Sequence, residues 1–292
     1  MNVIYSIYID IDEKNLDNPG WWENGVQIKT NKSLETKLAF LRNYEKLNQV
    51  KKDYAENIGA DYILFENDNQ YKDYFKSFKK NYPQISEYDV VNFYKQWLML
   101  KMAEKYDNVC YLDFDVIPNT KEDIFKAHKI DTHFACAENN SLATWGKIIS
   151  SEHYNTCIRN PASKYWNCHA MLFQEGYEPE TDVFNTAIMV SSSKIINQLN
   201  YFGNFDETLK LMSFVKNDKN SIYPHNIKRV FGYDNETVWG YKTHINKVQY
   251  QPLDDWHYFM DNWSYISKSA KFVHCVSKDF EYVRNYCEKN NL

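Results

Sequence analysis

The chain has 292 residues, 43% hydrophobic and 25% charged, with 24 Tyr, 8 Trp and only 8 Gly, the make-up of a soluble globular protein with one large core or one domain plus a modest lobe. Its formal net charge of -5 excludes a general nucleic-acid binder, which presents a basic face. An acidic chain that handles an anionic ligand needs a metal ion or a few local Lys and Arg residues.

Residues 3–9, Val-Ile-Tyr-Ser-Ile-Tyr-Ile, are β-branched and aromatic and predict a first strand ending at Asp10 and Asp12. A polar loop with Pro19-Gly20 and Trp21-Trp22 leads to a helix capped near Ser33. Leu34, Leu38, Leu41 and Tyr44 or Glu45 trace its apolar face, and Gly59 suits the left-handed turn that stops it. Residues 60–65 read as a second strand. Strand, helix, strand is a βαβ unit and implies a parallel sheet. Residues 71–80 form a short basic-aromatic helix. Ser86 and Asp89 pair as a cap for a helix from about Tyr88, whose stripe of Val90, Phe93, Trp97 and Leu100 reads as core. Lys95 and Lys101 lie off that stripe.

The helix feeds Val109-Cys110-Tyr111-Leu112-Asp113-Phe114-Asp115-Val116-Ile117-Pro118. An uncharged apolar run is a strand buried on both faces, and the acids then stand at its carboxyl end, where open α/β sheets keep their ligand crevices. On an extended backbone i and i+2 point the same way, so the two carboxylates repel unless one is protonated or a cation lies between them. The pair either solvates a strand end or holds a hard divalent ion.

A short helix over 121–127 and a strand over 132–137 follow. Residues 138–181 lack periodicity and read as one long loop, functional or mobile. Within it Trp145, Tyr154, Trp166 and Phe173 either stack on sugar faces or pack the loop onto the body. Residues 183–190 return to strand character around Asn185, a mostly helical stretch leads to Asp234-Asn235-Glu236, and strands are expected at 247–251 and 271–276. Cysteines 110, 136, 157, 168, 275 and 287 show no zinc or redox spacing, and Cys110, Cys136 and Cys275 sit in apolar runs as small buried thiols do. The amino terminus enters a strand with no leader pattern, and no apolar run is long enough for a membrane span, so a cytoplasmic, reducing location is expected.

Strand, helix, strand and then an Asp-x-Asp after a buried strand resembles the GT-A class of nucleotide-sugar glycosyltransferases. Tyr111-Leu112-Asp113-Phe114-Asp115-Val116 is similar to the Tyr-Leu-Asp-x-Asp block of the glycogenin and galactosyltransferase-like family (glycosyltransferase family 8 and relatives). Phe184-Asn185-Thr186-Ala187-Ile188-Met189-Val190, Asp234-Asn235-Glu236 and Phe272-Val273-His274-Cys275-Val276-Ser277-Lys278 resemble three further blocks of that family, in its order. Ala187 stands where the family prefers Gly, Ser277 stands near its second Gly, and its Lys-Pro-Trp ending is absent.

The resemblance implies a GT-A, Rossmann-like, mostly parallel sheet in one domain over 1–280, with a nucleotide-binding half (1–118), an acceptor and donor-sugar half (119–280) and a carboxyl-terminal tail (281–292). It implies transfer of a sugar from a nucleotide-diphosphate donor, a UDP-sugar, to a glycan or other hydroxyl acceptor, with retention. Asp113 and Asp115 would hold the ion and His274 would complete the set. A mixed oxygen and nitrogen donor set favours Mn²⁺, with Mg²⁺ as the other candidate; His274 otherwise reads as a plain strand-end histidine. Lys278 and Lys95 would neutralise phosphate, and Tyr8 and Asp10 would hold the nucleoside. Asp234 and Glu236 would bind donor-sugar hydroxyls or orient the acceptor, one of them being the base in an inverting enzyme. Asn185 would contact donor sugar or satisfy its own strand.

Two rivals stand beside this. Asp113-Phe114-Asp115-Val116 also fits a haloacid-dehalogenase-like, Mg²⁺-dependent phosphatase, with Asp113 as nucleophile, Asp115 as general acid and Asp254-Asp255 as metal acids, although more than a hundred residues precede the motif, which in such enzymes follows the first strand. The other rival is an inactive sugar-binding module built on the aromatic loop.

Overall fold

A computed structural model of the protein describes residues 1–15, 21–23, 26–28, 32–138, 162–178, 182, 184–220, 233–253, 256–260, 266 and 269–289. β1 (Asn2–Ile7) is followed by a small hairpin, β2 (Trp21–Glu23) and β3 (Val26–Ile28), where sequence predicts loop alone. The long helix α1 (Lys32–Ile58) and β4 (Asp61–Phe65) complete the expected βαβ unit, and β4 lies parallel to β1. Gly59 takes φ +70° between them, the turn expected of it.

The predicted apolar face of α1 is corrected. Leu38 and Leu41 are exposed, at 44% and 46%, and the buried side carries Ala39, Leu47, Lys51, Tyr54 and Ala55. α2 (Asn69–Asn81) starts at Asp68, whose carboxylate accepts from the Tyr71 amide. α3 (Glu87–Ala103) starts at Ser86, whose hydroxyl accepts the Asp89 amide at 3.1 Å and donates to the Asp89 carboxylate at 2.7 Å, the capping pair expected from sequence. The stripe of α3 is wider than expected, because Tyr94, Lys95, Gln96, Leu98 and Met99 are buried beside Val90 and Phe93.

β5 (Asn108–Leu112) is parallel to β1 and buried on both faces. Then come β6 (Val116–Pro118), the short α4 (Ile124–Ala127) capped by Asp123, and β7 (Phe134–Glu138). Within 138–181, read from sequence as a single loop, residues Ala162–Gln174 form a helix, α5. Cys168, Ala170, Met171 and Leu172 bury its inner side. β8 (Phe184–Ser192), α6 (Ser193–Leu199), α7 (Phe205–Asn217), α8 (Asn235–Ile245), β9 (Tyr250–Pro252), β10 (His257–Met260), β11 (Phe272–Cys275) and α9 (Phe280–Lys289) follow.

Six strands make the main sheet in the order β4-β1-β5-β8-β7-β9, with β8 alone antiparallel to its neighbours on both sides. This meets the expectation of an α/β fold with a mostly parallel sheet. A small second sheet, β10-β11-β6, springs from the carboxyl end of β5, and His274 of β11 pairs with Val116 of β6. One core cluster packs α2, α3, α5, α7 and α8 on one face of the main sheet. A second cluster on the other face joins Tyr54 of α1 to Trp256 and Phe272. Cys110, Cys136, Cys168 and Cys275 are buried free thiols in these layers. Phe280 and Val283 of α9 are buried with Phe114 in a third cluster beneath the small sheet. Among the described residues no helix is long and apolar enough to cross a membrane.

Candidate functional site

Asp113 and Asp115 leave β5 where the parallel strands end. The Asp113 amide donates to the Ala187 carbonyl at 2.7 Å, and the chain then turns, Val116 N–H donating to the Asp113 carbonyl at 3.0 Å. β6 runs back antiparallel to β11, and the Cys275 amide donates to the Asp115 carbonyl at 2.9 Å. That register carries His274 to Asp115, with Nε2 3.4 Å from Oδ2. A carboxylate oxygen from each aspartate and a ring nitrogen of His274 lie within 4.8 Å of one another. Ligands about 2.1 Å from one ion lie roughly 3.0 Å apart when adjacent and 4.2 Å when opposite. A small inward movement of these three side chains therefore makes a cation site of two oxygens and a nitrogen.

Each aspartate is held from behind. Tyr111, two residues up the same strand, donates its phenol to Asp113 Oδ1; burial and then Asp113 itself hold that phenol well above its ordinary pKa, so it stays a donor. Lys95 Nζ lies 3.5 Å from the same oxygen. Asp115 is nearly buried and pairs with Lys278. Burial pushes its pKa up, but Lys278 and His274 outweigh that and hold the carboxyl well below the usual range. Burial likewise pulls Lys278 down and Asp115 outweighs it, so this ammonium is held above its ordinary value. Lys278 has φ +63°, a left-handed conformation uncommon for a side chain of its size, at a cost of order 1 kcal/mol. That strain is spent at the end of β11, where the lysine reaches Asp115.

The remaining residues singled out from sequence stand around this pair. Lys95 is fully enclosed rather than facing a crevice. Its ammonium donates to Thr186 Oγ1 at 3.0 Å and lies over the Tyr111 ring. Thr186 joins three elements, β8, α3 and α8: its amide and hydroxyl donate to Glu236 Oε1 at 2.8 and 3.1 Å, and it accepts from Asn235 Nδ2 at 3.0 Å. Asp234 caps α8, accepting from the amides of Glu236 and Thr237. Asn185 Oδ1 accepts the Ala187 amide at 3.0 Å. Tyr8 packs at a tilt against Phe114, the residue between the two acids, at 4.9 Å between ring centroids, and also meets Phe40 and Tyr44. Asp10 pairs with Lys37 at 2.9 Å. All ten residues thus lie at the carboxyl edge of the parallel strands or one contact behind it.

Three residues bonded into the site escape sequence reading. Tyr111 carries a usable signal, because i and i+2 of a strand share a face. Lys51 of α1 carries none: fully buried, it donates to the Phe114 carbonyl at 2.9 Å and to the Leu47 carbonyl at 3.0 Å, clamping the turn between the acids from beneath. Burial pulls its pKa down to about 7. His257 of β10 reaches the site through the parallel register of β10 on β11, its Nε2 3.0 Å from His274 Nδ1. Burial, and then His274, hold its pKa well below the ordinary imidazole value, so the ring is neutral. Of the expected aromatic stackers, Phe173 is 56% exposed on α5. Trp145, Tyr154, the Trp166 side chain and Asp254-Asp255 lie outside the described residues.

No protein-family model and no curated protein matches the chain. Solved structures do resemble it. A glycosyltransferase involved in glycosylation of the major capsid of PBCV-1 is 14% identical, with 99% of this chain and 98% of that one covered, at a TM-score of 0.42. Mouse xyloside xylosyltransferase 1 in its apo form is 9% identical over 74% of this chain and 76% of that one, also at 0.42. The galactosyltransferase LgtC, in complex with donor and acceptor sugar analogs, is 12% identical over 94% and 87%, at 0.40. At such identities and TM-scores these are likenesses of chain path, and function has to be read from the site's own chemistry.

Proposed function

We propose that the chain is a divalent-cation-dependent glycosyltransferase of the GT-A type, moving a sugar from a nucleoside-diphosphate donor, a UDP-sugar, to a hydroxyl of a glycan acceptor with retention at the sugar carbon. The observation that carries this reading is the convergence of Asp113, Asp115, His274 and Lys278 at the carboxyl edge of a mostly parallel sheet. Asp113, Asp115 and His274 would hold the cation, Mn²⁺ by the mixed character of the donors, and a cation there supplies Lewis-acid neutralisation of the diphosphate leaving group.

Lys278, paired with Asp115, would leave it for a phosphate oxygen, adding a charge-assisted hydrogen bond where leaving-group charge develops. Tyr111 and Lys95 keep Asp113 aimed at the crevice. Tyr8 and Asp10, at the end of β1, are the side chains offered to the nucleoside. Asp234 and Glu236 already serve the cap of α8 and the amide of Thr186. This favours retention, in which the leaving phosphate takes the acceptor proton and no protein base is needed. Asp234, Glu236 and Asn185 are then the groups nearest the donor sugar.

The phosphatase reading needs Asp115 protonated as a general acid, and Lys278 and His274 instead hold it ionised. Purified protein with Mn²⁺ is expected to hydrolyse a UDP-sugar slowly in the absence of acceptor, and Asp115→Asn to abolish it. Phosphate release from small phosphoesters, indifferent to nucleotide sugar, would overturn the reading in favour of the phosphatase. Oligosaccharide binding without either activity would overturn it in favour of a sugar-binding module.

A further inference from the structure

We infer that His257 is a positioning residue for the cation site, holding the ring of His274 in place and setting which of its nitrogens carries the proton. The inference rests on the cation-binding reading above. β10 and β11 are parallel, with His257 opposite Phe272 and Phe259 opposite His274. Alternate residues share a face, so both histidines and Phe259 lie on one side of this sheet. The rings of His257 and Phe259 stack at 4.1 Å, Phe259 lies 5.4 Å from the His274 ring, and both histidines are buried, at 7% and 8% exposure. Packing therefore fixes both rings, and His257 Nε2 meets His274 Nδ1 at 3.0 Å.

With one proton on each ring the contact can be donated from either side, which leaves two arrangements. In the first, His257 Nε2–H donates to His274 Nδ1. His274 then carries its own proton on Nε2, facing Asp115 Oδ2 at 3.4 Å, and has no lone pair for a cation. In the second, His274 Nδ1–H donates to His257 Nε2, and His274 Nε2 is a bare ligand atom directed at the two aspartates. Among the described residues His257 Nδ1 has no hydrogen-bond partner. The first arrangement leaves it a bare lone pair and the second a buried N–H, so the first is the resting state and cation binding drives the second. The conversion balances: the shared proton passes from His257 Nε2 to His274 Nδ1, His274 Nε2 releases a proton to water, and His257 Nδ1 takes one from water.

The test uses the whole protein and two readouts other than turnover. Mn²⁺ affinity, measured by titration of the free-ion electron paramagnetic resonance signal, is expected to fall about 10–100-fold in His257→Phe. That variant keeps a stacked ring but loses the hydrogen bond. Affinity should recover to within a few-fold of wild type in His257→Gln, whose amide can donate or accept at the former Nε2 position. In the wild type, long-range ¹H–¹⁵N spectra should show the His274 proton on Nε2 without metal and on Nδ1 with saturating Mg²⁺. Wild-type Mn²⁺ affinity in His257→Phe, or a His274 proton still on Nε2 in the Mg²⁺-loaded protein, would overturn the role of His257 while leaving the cation site standing. If the wild type binds Mn²⁺ no better than Asp115→Asn, the cation-dependent reading itself falls, and this inference with it.

Discussion

Lys278 and a divalent ion compete for the same oxygen. The ammonium sits on Asp115 and satisfies a nearly buried carboxylate that would otherwise be desolvated and unpaired. A cation entering between Asp113 and Asp115 takes over that neutralisation, and the lysine becomes available to a second anion. Lys278→Ala should therefore have crossed effects. Mn²⁺ alone is expected to bind more tightly than to wild type, because a competing positive charge is gone. UDP in the presence of Mn²⁺ is expected to bind about 10–100-fold more weakly, the equivalent of one charged hydrogen bond. Isothermal titrations of Mn²⁺, then of UDP into the Mn²⁺-saturated variant, check both arms. Weakening of both together would mean that Lys278 only supports the fold.

Among the elements, α1 and α8 brace the acid-bearing turn from opposite sides of the sheet. α1 does so with Lys51, bonded to two carbonyls and 4.9 Å from the Phe114 ring. Its pKa of about 7 lies below that of an unfolded lysine, near 10.4. Between these values the unfolded chain holds a proton that the native one has lost, so Lys51 makes stability rise with pH through that window, by up to about 1.4 kcal/mol per pH unit. Chemical denaturation from pH 7 to 10 is expected to show wild type gaining on Lys51→Met, and parallel curves would refute the assignment. On the other side, Thr186 gathers Lys95, Asn235 and Glu236. Thr186→Val should cost about 1–3 kcal/mol in urea unfolding, because it leaves buried polar partners unsatisfied with little change in volume. The same two elements mark what sequence can reveal. The β1–α1–β4 unit, the cap of α3 and the apolar approach to Asp113 follow from local pattern. The buried face of α1 does not, because it carries Lys51 and Tyr54 while Leu38 and Leu41 face outward, the reverse of the usual partition. α5 is hidden for a related reason: its Asn, His and Trp residues mask the helical period until the packing of Cys168, Met171 and Leu172 is seen.

Across the whole molecule, a chain of net charge -5 concentrates positive charge at one edge of its sheet. Lys51, Lys95 and Lys278 all lie within contact of residues 111–115, and each is held by the fold rather than by solvent. The paired acids were legible from spacing alone, and Lys278 only through the family resemblance. Their meeting with His274 was reached through that resemblance and not through local pattern, since it depends on β6 turning back against a strand more than 150 positions later in the chain. This arrangement is balanced without a ligand, so a cation alone replaces one neutraliser by another, whereas cation and nucleotide together restore a partner to every displaced charge. Stabilisation should therefore be strongly conditional. At concentrations about 100-fold above the dissociation constant, a ligand that binds only the native state adds about 2.7 kcal/mol. For a chain of this size that corresponds to a rise in Tm of roughly 4–5 °C. A thermal-shift panel is expected to give that rise for UDP with Mn²⁺ and a much smaller one for either alone. Excess EDTA should return the melting curve to that of the metal-free protein, and Asp113→Asn should remove the response while still unfolding cooperatively. An equal shift from UDP with and without EDTA would mean that the nucleotide binds away from Asp113 and Asp115, and the cation would then have no part in holding the donor.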